Sequence, residues 1–431
     1  MHKEIGVALI GCGTVGAGVV KILENNAQNI EIKVGLPVVL KKILEIDVEK
    51  AKAVSQKAQI ITNFEEIIND ESIQIVIELI GGENPAKDFM LRALKAGKYV
   101  ITANKDVVAK YGQELFKTAK ASGVDFLFEA SVGGGIPVIR PLKQCLAANN
   151  ISEIMGIVNG TTNYMLTKMT NEGMDYNTVL AEAQSKGYAE ANPTADVGGF
   201  DAARKIAILT SIAFGARVTF DDVHVEGIDN IDIEDIEYAK ELGYIIKLLA
   251  IGKQDEKGIN VRVHPVLLPK HHPLSSVNDV FNAIFIKGDA VGEAMFYGRG
   301  AGQMPTASAV VADVMDAARD IKLKIGSRIL CTCFEQKPIY PIGKTYSSYY
   351  MRLLVEDKPG VLAAVASTLG AQQVSIHSVI QKRRVGGHTE LVLLTYQVLD
   401  EGVRLAMNTI ESLSIVHKVG NVIRVEMQDN A

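Results

Sequence analysis

Hydrophobic and polar positions change rhythm along this chain, and the changes mark its domains. Ile5 to Ile10 is an unbroken apolar run, as expected of a central parallel strand covered on both faces, and it stops at Gly11-Cys12-Gly13-Thr14-Val15-Gly16. AGVVKILENN then has helical spacing. VVLKKILEI, SIQIVIELI, KYVIT and VDFLFEA read as further strands, with EKAKAVSQKA, AKDFMLRALKAG and YGQELFKTAKASG as the helices between them. Strands alternating with helices imply a parallel α/β sheet with right-handed crossovers.

After Ser131 the rhythm breaks. Glycine-rich loops alternate with helical TNYMLTKMTNEG and IEYAKELGYIIKLLAIG, followed by strand-like INVRVHPVLL and VNDVFNAIFIKGD, which together predict an α+β domain. YGRGAGQMPTASAVVADVMDAARDI supplies a glycine turn and a long helix expected to pack back on the first domain. Phe334 to Ser348 reads as a linker because Pro338 and Pro341 interrupt a polar stretch. Beyond it, SYYMRLLVE, PGVLAAVASTLGAQ, VSIHSVIQ, TELVLLTYQV, GVRLAMNTIESL and VIRVEM spell β-α-β-β-α-β, the ferredoxin-like order. The expected domains are 1–130, with 299–325 returning to it, then 131–298 and 348–428.

A length of 431 residues suits two to three domains. The net charge of −5 gives no basic footprint for nucleic acid or anionic membranes, and no apolar run reaches membrane-spanning length. The N-terminus runs straight into a strand without a signal-peptide cleavage pattern, so the expected location is the cytoplasm. Cys12, Cys145, Cys331 and Cys333 fall in no zinc or disulfide framework and are expected as reduced thiols.

The chemistry begins at the first glycines. GxGxxG directly after a buried strand and directly before a helix is the context of a dinucleotide site, and it makes the first domain Rossmann-type. Gly11 is expected to make the tight turn, Gly13 to let the backbone reach the pyrophosphate and Gly16 to allow close helix packing, with Thr14 and Val15 at the helix start that receives phosphate. The ribose-binding acid is sought at the end of the second strand, Glu45-Ile46-Asp47, which an insertion around Asn25 to Pro37 delays; Asp47 is the expected acid. Gly81 and Lys105 follow later apolar strands, where open α/β sheets bind ligands.

Ala183 to Lys205, AQSKGYAEANPTADVGGFDAARK, sets Glu190, Asp196, Asp201 and Lys205 among Gly187, Asn192, Pro193, Gly198 and Gly199. Glycine and proline shape such a loop, and its carboxylates and lysine suit a small zwitterionic substrate. Asp201 and Lys205 stand four apart, so a helix stacks them on one face. An exposed, capped ion pair is the plainer alternative. The whole string resembles the signature of homoserine dehydrogenases, and the resemblance extends over about Ile5 to Ile325, including Thr102-Ala103-Asn104-Lys105. It implies reversible NAD(P)-dependent reduction of L-aspartate 4-semialdehyde to L-homoserine, in the biosynthesis of threonine, methionine and isoleucine.

For that substrate, Glu190 and Asp196 suit the ammonium, Thr161 and the backbone N–H groups of Asn159-Gly160-Thr161-Thr162-Asn163 suit the carboxylate, and Gly187 shapes the loop. Lys205 is the expected proton donor, positioned by Asp201, with Lys105 as the competing assignment. The resemblance also places Gly302 at a second approach to the cofactor. It implies a monovalent cation, usually sodium, on backbone oxygens of Glu129, Val132, Gly134 and Ile136. Homoserine dehydrogenases often carry an arginine just before the aspartate at the second strand's end; Ile46 stands there instead, so NADP or NAD is left open with a lean to dual or NAD use. The tail resembles an ACT domain through Asp357-Lys358-Pro359-Gly360-Val361-Leu362, which implies an amino-acid effector, L-threonine being the expectation, and a homo-oligomer, dimer or tetramer. Two rival readings are another Rossmann oxidoreductase acting on an amino-acid aldehyde and a non-catalytic amino-acid sensor.

Overall fold

The computed structural model describes residues 3–326, 331 and 335–426. Strand β1 (Ile5–Ile10) is buried along its whole length, as its unbroken apolar run requires. It leads into α1 (Thr14–Asn25) and α2 (Ala27–Val34), then β2 (Val38–Leu44), α3 (Val48–Val54), β3 (Gln59–Ile61) and α4 (Glu65–Ile68). β4 (Ile75–Glu78), α5 (Ala86–Lys95), β5 (Tyr99–Thr102), α6 (Lys105–Ser122) and β6 (Phe126–Leu127) complete the pattern. The six strands stand in the order β3-β2-β1-β4-β5-β6, and all their pairings are parallel. That is the doubly wound arrangement, and its order reverses between β1 and β4, beside the glycine turn. The insertion that delays β2 is helix α2, which Gly35 ends at φ +78.

β7 (Ile151–Ile157) follows, then α7 (Gly160–Glu172), α8 (Tyr176–Ser185), the one-turn α9 (Thr194–Val197) and α10 (Phe200–Ala213). Next come β8 (His224–Val225), α11 (Ile233–Glu241), the antiparallel pair β9 (Tyr244–Asp255) and β10 (Gly258–Pro269), β11 (Phe281–Gly288), β12 (Gly292–Arg299) and α12 (Gln303–Leu323). The stretch IIKLLAIG, expected to prolong a helix, is strand instead. α11 stops at Glu241, Gly243 turns the chain at φ +87, and Ile246 to Ile251 are buried on both faces as a central strand requires. VDFLFEA gives only the short β6 before a 3₁₀ turn at Glu129–Ser131.

The tail forms β13 (Tyr346–Glu356), α13 (Val361–Ala371), β14 (Ile376–Val385), β15 (His388–Thr395), β16 (Val398–Leu399), α14 (Asp400–Glu411) and β17 (Val416–Val425). Its sheet runs β17-β13-β15-β14 with every pairing antiparallel, the ferredoxin-like topology. Alternate residues of β13 (Tyr349, Met351, Leu353, Val355) point into one core with Val361, Val365 and Leu369 of α13 and Val403, Ala406 and Ile410 of α14. β17 also pairs in parallel with β10, Val266 opposite Arg424 and Leu267 opposite Val425.

The chain forms two compact units that interleave its segments: Met1–Ile154, Arg204–Asp222 and Asn282–Lys337 in one; Met155–Ala203, Val223–Phe281 and Pro338–Ala431 in the other. Cys12, Cys145 and Cys331 are free thiols, whereas Cys333, like Phe334 at the head of the expected linker, lies outside the described residues. Among the described residues no helix is long and apolar enough to cross a membrane.

Candidate active site

In the first unit the glycine turn is shaped by contact. Gly11 has φ +92, and a Cβ there would lie 2.8 Å from Ile80 Cγ2. A Cβ on Gly16 would lie 2.2 Å from the Gly11 carbonyl oxygen, so any side chain would push α1 off the turn. Gly13 is different: nothing lies within 4 Å of its Cβ position. The first two close the turn on itself, and the third leaves open approach to the N-terminus of α1, where Thr14 and Val15 begin the helix. α12 packs against α1 where Gly18 meets Gln303 and Ala307, which sets Gly302, at φ +121, at the head of a second helix. Gly81 (φ +76) has open space around its Cβ position, one residue after Ile80.

The carboxylate that reaches the glycine turn is that of Glu45, not Asp47. Glu45 Oε2 accepts the Cys12 N–H at 2.7 Å, while Oε1 accepts Ile46 N–H at 3.0 Å. Asp47 is the N-cap of α3, its Oδ1 accepting the Lys50 N–H at 3.0 Å. Ile46 between them is 93% exposed. A further network escaped sequence reasoning. Glu78, fully buried at the end of β4, accepts Thr102 Oγ1–H at 2.7 Å and Ile80 N–H at 2.8 Å, and burial raises its pKa. Asn104 takes up the same hydroxyl through its N–H, donates from Nδ2 to the Gly82 carbonyl at 2.7 Å and caps α6 by accepting Val107 N–H. The carboxyl ends of β4 and β5 are thus tied together directly before Lys105, the half-buried first residue of α6.

Lys205 lies half-buried on α10, one turn after Asp201. Its neighbour Arg204 pairs with Asp106, the neighbour of Lys105, at 3.0 Å. Arg217, just beyond α10, donates to Gln113 and to the Lys110 carbonyl on α6. These contacts tie α10 to α6, so the two candidate lysines stand on joined helices.

The segment from Glu129 to Ile136 turns sharply, with Gly133 at φ +75 and Gly134 at φ +53; a Cβ on Gly134 would lie 2.3 Å from the Gly300 carbonyl oxygen. The Glu129 carboxylate is occupied, accepting N–H groups of Val138, Ile139 and Arg140 at 2.6, 2.8 and 2.7 Å. Glu129 N–H donates to Asp313, which also pairs with Arg140 at 2.6 Å. Burial, and after it the Glu129 charge, push the Asp313 carboxyl up to about 7 against the pull of Arg140. The hydrogen bonds closing this turn are accepted by the carbonyls of Phe128, Gly133 and Arg299. Among the described residues no group of three or more His, Cys, Asp or Glu side chains is arranged to hold a metal.

In the second unit Asp196 and Asp201 converge on one amide. Asn159 Nδ2 donates to Asp196 at 2.7 Å and to Asp201 at 2.9 Å, while its Oδ1 accepts the Thr162 N–H and so caps α7. Thr161 Oγ1 donates to the Tyr188 carbonyl at 2.5 Å, which fixes the turn holding Gly187 (φ +73) and the exposed Glu190 to the start of α7. That hydroxyl proton is therefore committed, and so are the N–H groups of Thr162 and Asn163, which donate to the side chain and the carbonyl of Asn159. Behind it, Asn163 Nδ2 donates to the carbonyls of Val277, Asp279 and Phe281. Buried Lys247 donates to Asn163 Oδ1, Asn278 Oδ1 and the Val277 carbonyl, and desolvation lowers its pKa to about 8. The sequence offered Asn159 only as part of the turn whose N–H groups suit a carboxylate; its bridging of two carboxylates far along the chain leaves no local signal.

A glycine turn at the switch point of a parallel sheet, with lysines on joined helices beyond the carboxyl end of β5, defines a nicotinamide-dependent oxidoreductase. Family models agree: homoserine dehydrogenase matches residues 137–315, the homoserine dehydrogenase NAD binding domain residues 11–129, and the ACT domain residues 349–414. The chain is 42% identical over 429 residues to a homoserine dehydrogenase of Bacillus subtilis (strain 168), covering 98% of this chain and 99% of that one. It superposes on the crystal structure of a homoserine dehydrogenase from Thiobacillus denitrificans with a TM-score of 0.94 at 42% identity, covering 98% of each. A hyperthermophilic archaeal homoserine dehydrogenase in complex with NADPH matches at 26% identity and a TM-score of 0.63, over 75% of this chain and 99% of that one. The chain belongs to the homoserine dehydrogenase family, and its activity is that enzyme's.

Proposed function

We propose that Lys205 gives the proton when L-aspartate 4-semialdehyde is reduced to L-homoserine, and that Lys105 steadies the same carbonyl oxygen. The observation that carries this is the Asp106–Arg204 pair, which joins the helices bearing both lysines. A bound nicotinamide supplies the hydride; the protein orients the aldehyde and holds the proton. Asp196 and Glu190 take the substrate ammonium, and the N–H groups at the start of α7 take its carboxylate. Asn159 keeps Asp196 and Asp201 in place by donating to both, and Asp201 sets Lys205 one turn along α10.

The Gly11–Gly16 turn and the α1 N-terminus take the pyrophosphate, with Gly81 and Gly302 beside it. Glu45 is the better placed acid for a ribose hydroxyl, with Asp47 next to it. An acid there without a basic partner at Ile46 favours a free 2′-hydroxyl, so NADH serves at least as well as NADPH. A sodium ion on the carbonyls of Glu129, Val132, Gly134 and Ile136 would stiffen that turn. The exposed start of α13, where Gly360 has φ +92 and open space, is a seat for a threonine carboxylate, and the enzyme works in the cytoplasm as a homo-oligomer. Exposed Val291, Met295 and Tyr297 on and beside β12 support such an assembly. One assay tests the reading: oxidation of NADH and of NADPH with aspartate semialdehyde, with and without sodium and threonine. Turnover with neither cofactor would overturn it.

A further inference from the structure

Lys247 stands in β9, opposite Val266 of β10, and is 1% exposed. An ammonium is strongly hydrated, so burying one is costly, and the catalytic reading gives this one nothing to do. Its Nζ has three oxygens around it: the Val277 carbonyl at 2.6 Å, Asn163 Oδ1 at 3.1 Å and Asn278 Oδ1 at 3.2 Å. Three acceptors match the three donors of an ammonium, whereas a neutral amine would turn its lone pair on one of them. Desolvation brings its pKa down only to about 8, which leaves it charged near neutral pH.

The three acceptors are neutral groups. The charge of Asp279 acts on Lys247, but that residue is exposed and joins the cluster through its main chain. Its carbonyl accepts from Asn163 Nδ2 at 3.0 Å, and its N–H donates to Thr167 Oγ1 at 3.1 Å. Among the described residues no carboxylate accepts a hydrogen bond from Lys247, so its charge acts on the buried surroundings.

Those surroundings are the start of α7. Asn163 is the fourth residue of that helix. The segment 277–281, held by Lys247 and by three bonds from Asn163 Nδ2, lies against the first residue, since a Cβ on Gly160 would be 3.0 Å from the Val280 carbonyl oxygen. A helix N-terminus attracts anions through the positive end of its dipole, and a buried cation one turn behind it adds to that attraction. On the reading above, the substrate carboxylate lies at this helix start. It falls there to the N–H groups of Gly160 and Thr161, since Asn159 takes those of Thr162 and Asn163. Opposite unit charges about 10 Å apart, at an effective dielectric constant of about 20, favour association by roughly tenfold. We propose that Lys247 is a specificity-determining residue that acts from behind α7, selecting a substrate for its carboxylate without touching it. This rests on the reading that the start of α7 takes that carboxylate.

The test uses two unreactive competitors of L-homoserine oxidation, L-2-aminobutyrate and L-2-aminobutyramide, which share a shape and differ by the carboxylate charge. The readout is the ratio of their inhibition constants at about pH 7, beside KM for L-homoserine, kcat and dinucleotide affinity. The unaltered enzyme should prefer the acid. Lys247→Met removes the charge. Asn278→Asp cancels it, because a carboxylate then accepts from the same ammonium at a half-buried position of the 277–281 segment. Both should lower the acid-over-amide preference by roughly tenfold and raise KM for L-homoserine in proportion, with kcat and dinucleotide affinity unchanged. A packing defect would not separate two molecules of one shape. If Lys247→Met fails to fold, Asn278→Asp decides alone. A preference that falls in Lys247→Met but not in Asn278→Asp would make the lysine a clamp for the segment and overturn its electrostatic role. Full preference in both variants overturns the inference and leaves the carboxylate reading of α7 standing. An unaltered enzyme that binds acid and amide alike overturns both.

Discussion

Gly11–Gly16 and Ala183–Lys205 are both glycine-rich, yet their glycines answer to different demands. In the first turn the backbone itself is the binding surface. Gly11 and Gly16 are forced by contacts of 2.8 and 2.2 Å, and Gly13 is left bare. In the second, Gly187 and Gly199 supply positive φ and Gly198 a close approach to the Thr194 carbonyl, while the groups that carry charge are side chains, two of them, Asp196 and Asp201, held by one amide, Asn159. A backbone site is fixed once the chain turns correctly; a side-chain site also needs something to hold its like charges together. Two carboxylates brought near one another repel, and hydrogen bonds to both offset that cost.

The comparison breaks first at Lys205. Lys205→Ala should lower kcat by roughly 10²–10⁴-fold and leave dinucleotide affinity unchanged, since a proton donor acts in the transition state. Fluorescence titration of NADH beside steady-state turnover checks both halves, and near-normal turnover would move the role to Lys105. Asn159→Ala is the next largest change. It removes the shared donor of Asp196 and Asp201, so kcat/KM should fall by roughly 10–100-fold, mostly through KM, again with cofactor affinity intact. A loss of cofactor affinity in this variant would mean that the two sites are not separable as argued.

The two glycines sharpen the other half. Gly16→Ala should destabilise the free protein by roughly 1–3 kcal/mol, because the Cβ strikes the Gly11 carbonyl. Gly13→Ala strikes nothing in the free protein, so its melting temperature should hold while the dinucleotide Kd rises by about tenfold or more. Thermal melts with and without NADH separate the cases. Equal destabilisation by both would erase the distinction between a glycine required by packing and one reserved for a ligand.

What the sequence showed and hid follows the same division. The parallel sheet, the glycine turn, α10 with Asp201 and Lys205, and the β-α-β-β-α-β tail were legible because each is written in consecutive residues as a period or a spacing. Strand β9 was misread because IIKLLAIG is apolar throughout, and a fully buried strand then has no period to set it apart from a helix. The Glu78–Thr102–Asn104 network, the Asn159 bridge and the Asp106–Arg204 pair were invisible for another reason. Glu78 and Thr102 lie 24 residues apart, Asn159 lies 37 and 42 residues from its two acids, and Asp106 and Arg204 stand on helices that the chain reaches far apart.

The hinge turn gives a smaller, pH-dependent test. Asp313 has an ordinary value of 3.8 and is raised to about 7 in the fold, so between those values the folded state holds a proton the unfolded chain has released. Its contribution to stability is fully present below about pH 4 and is lost as pH rises through 7. The urea midpoint should therefore carry a decline between pH 5 and pH 8 that Asp313→Asn flattens. A decline of the same size in the variant would assign it elsewhere.

The smallest effect separates two neighbouring acids at the end of β2. Asp47 caps α3 through Lys50 N–H, so Asp47→Ala should cost about 1 kcal/mol of stability and change the NADH-to-NADPH ratio of kcat/KM little. Glu45 reaches the glycine turn through Cys12 N–H. Glu45→Gln keeps an acceptor there but removes the charge that repels a 2′-phosphate, so the ratio should move toward NADPH. Ile46→Arg should move it the same way by adding a phosphate partner at a position already 93% exposed, where the new side chain displaces nothing. If Asp47→Ala shifts the ratio and Glu45→Gln does not, the ribose acid is Asp47, and the Glu45–Cys12 hydrogen bond serves only to shape the turn.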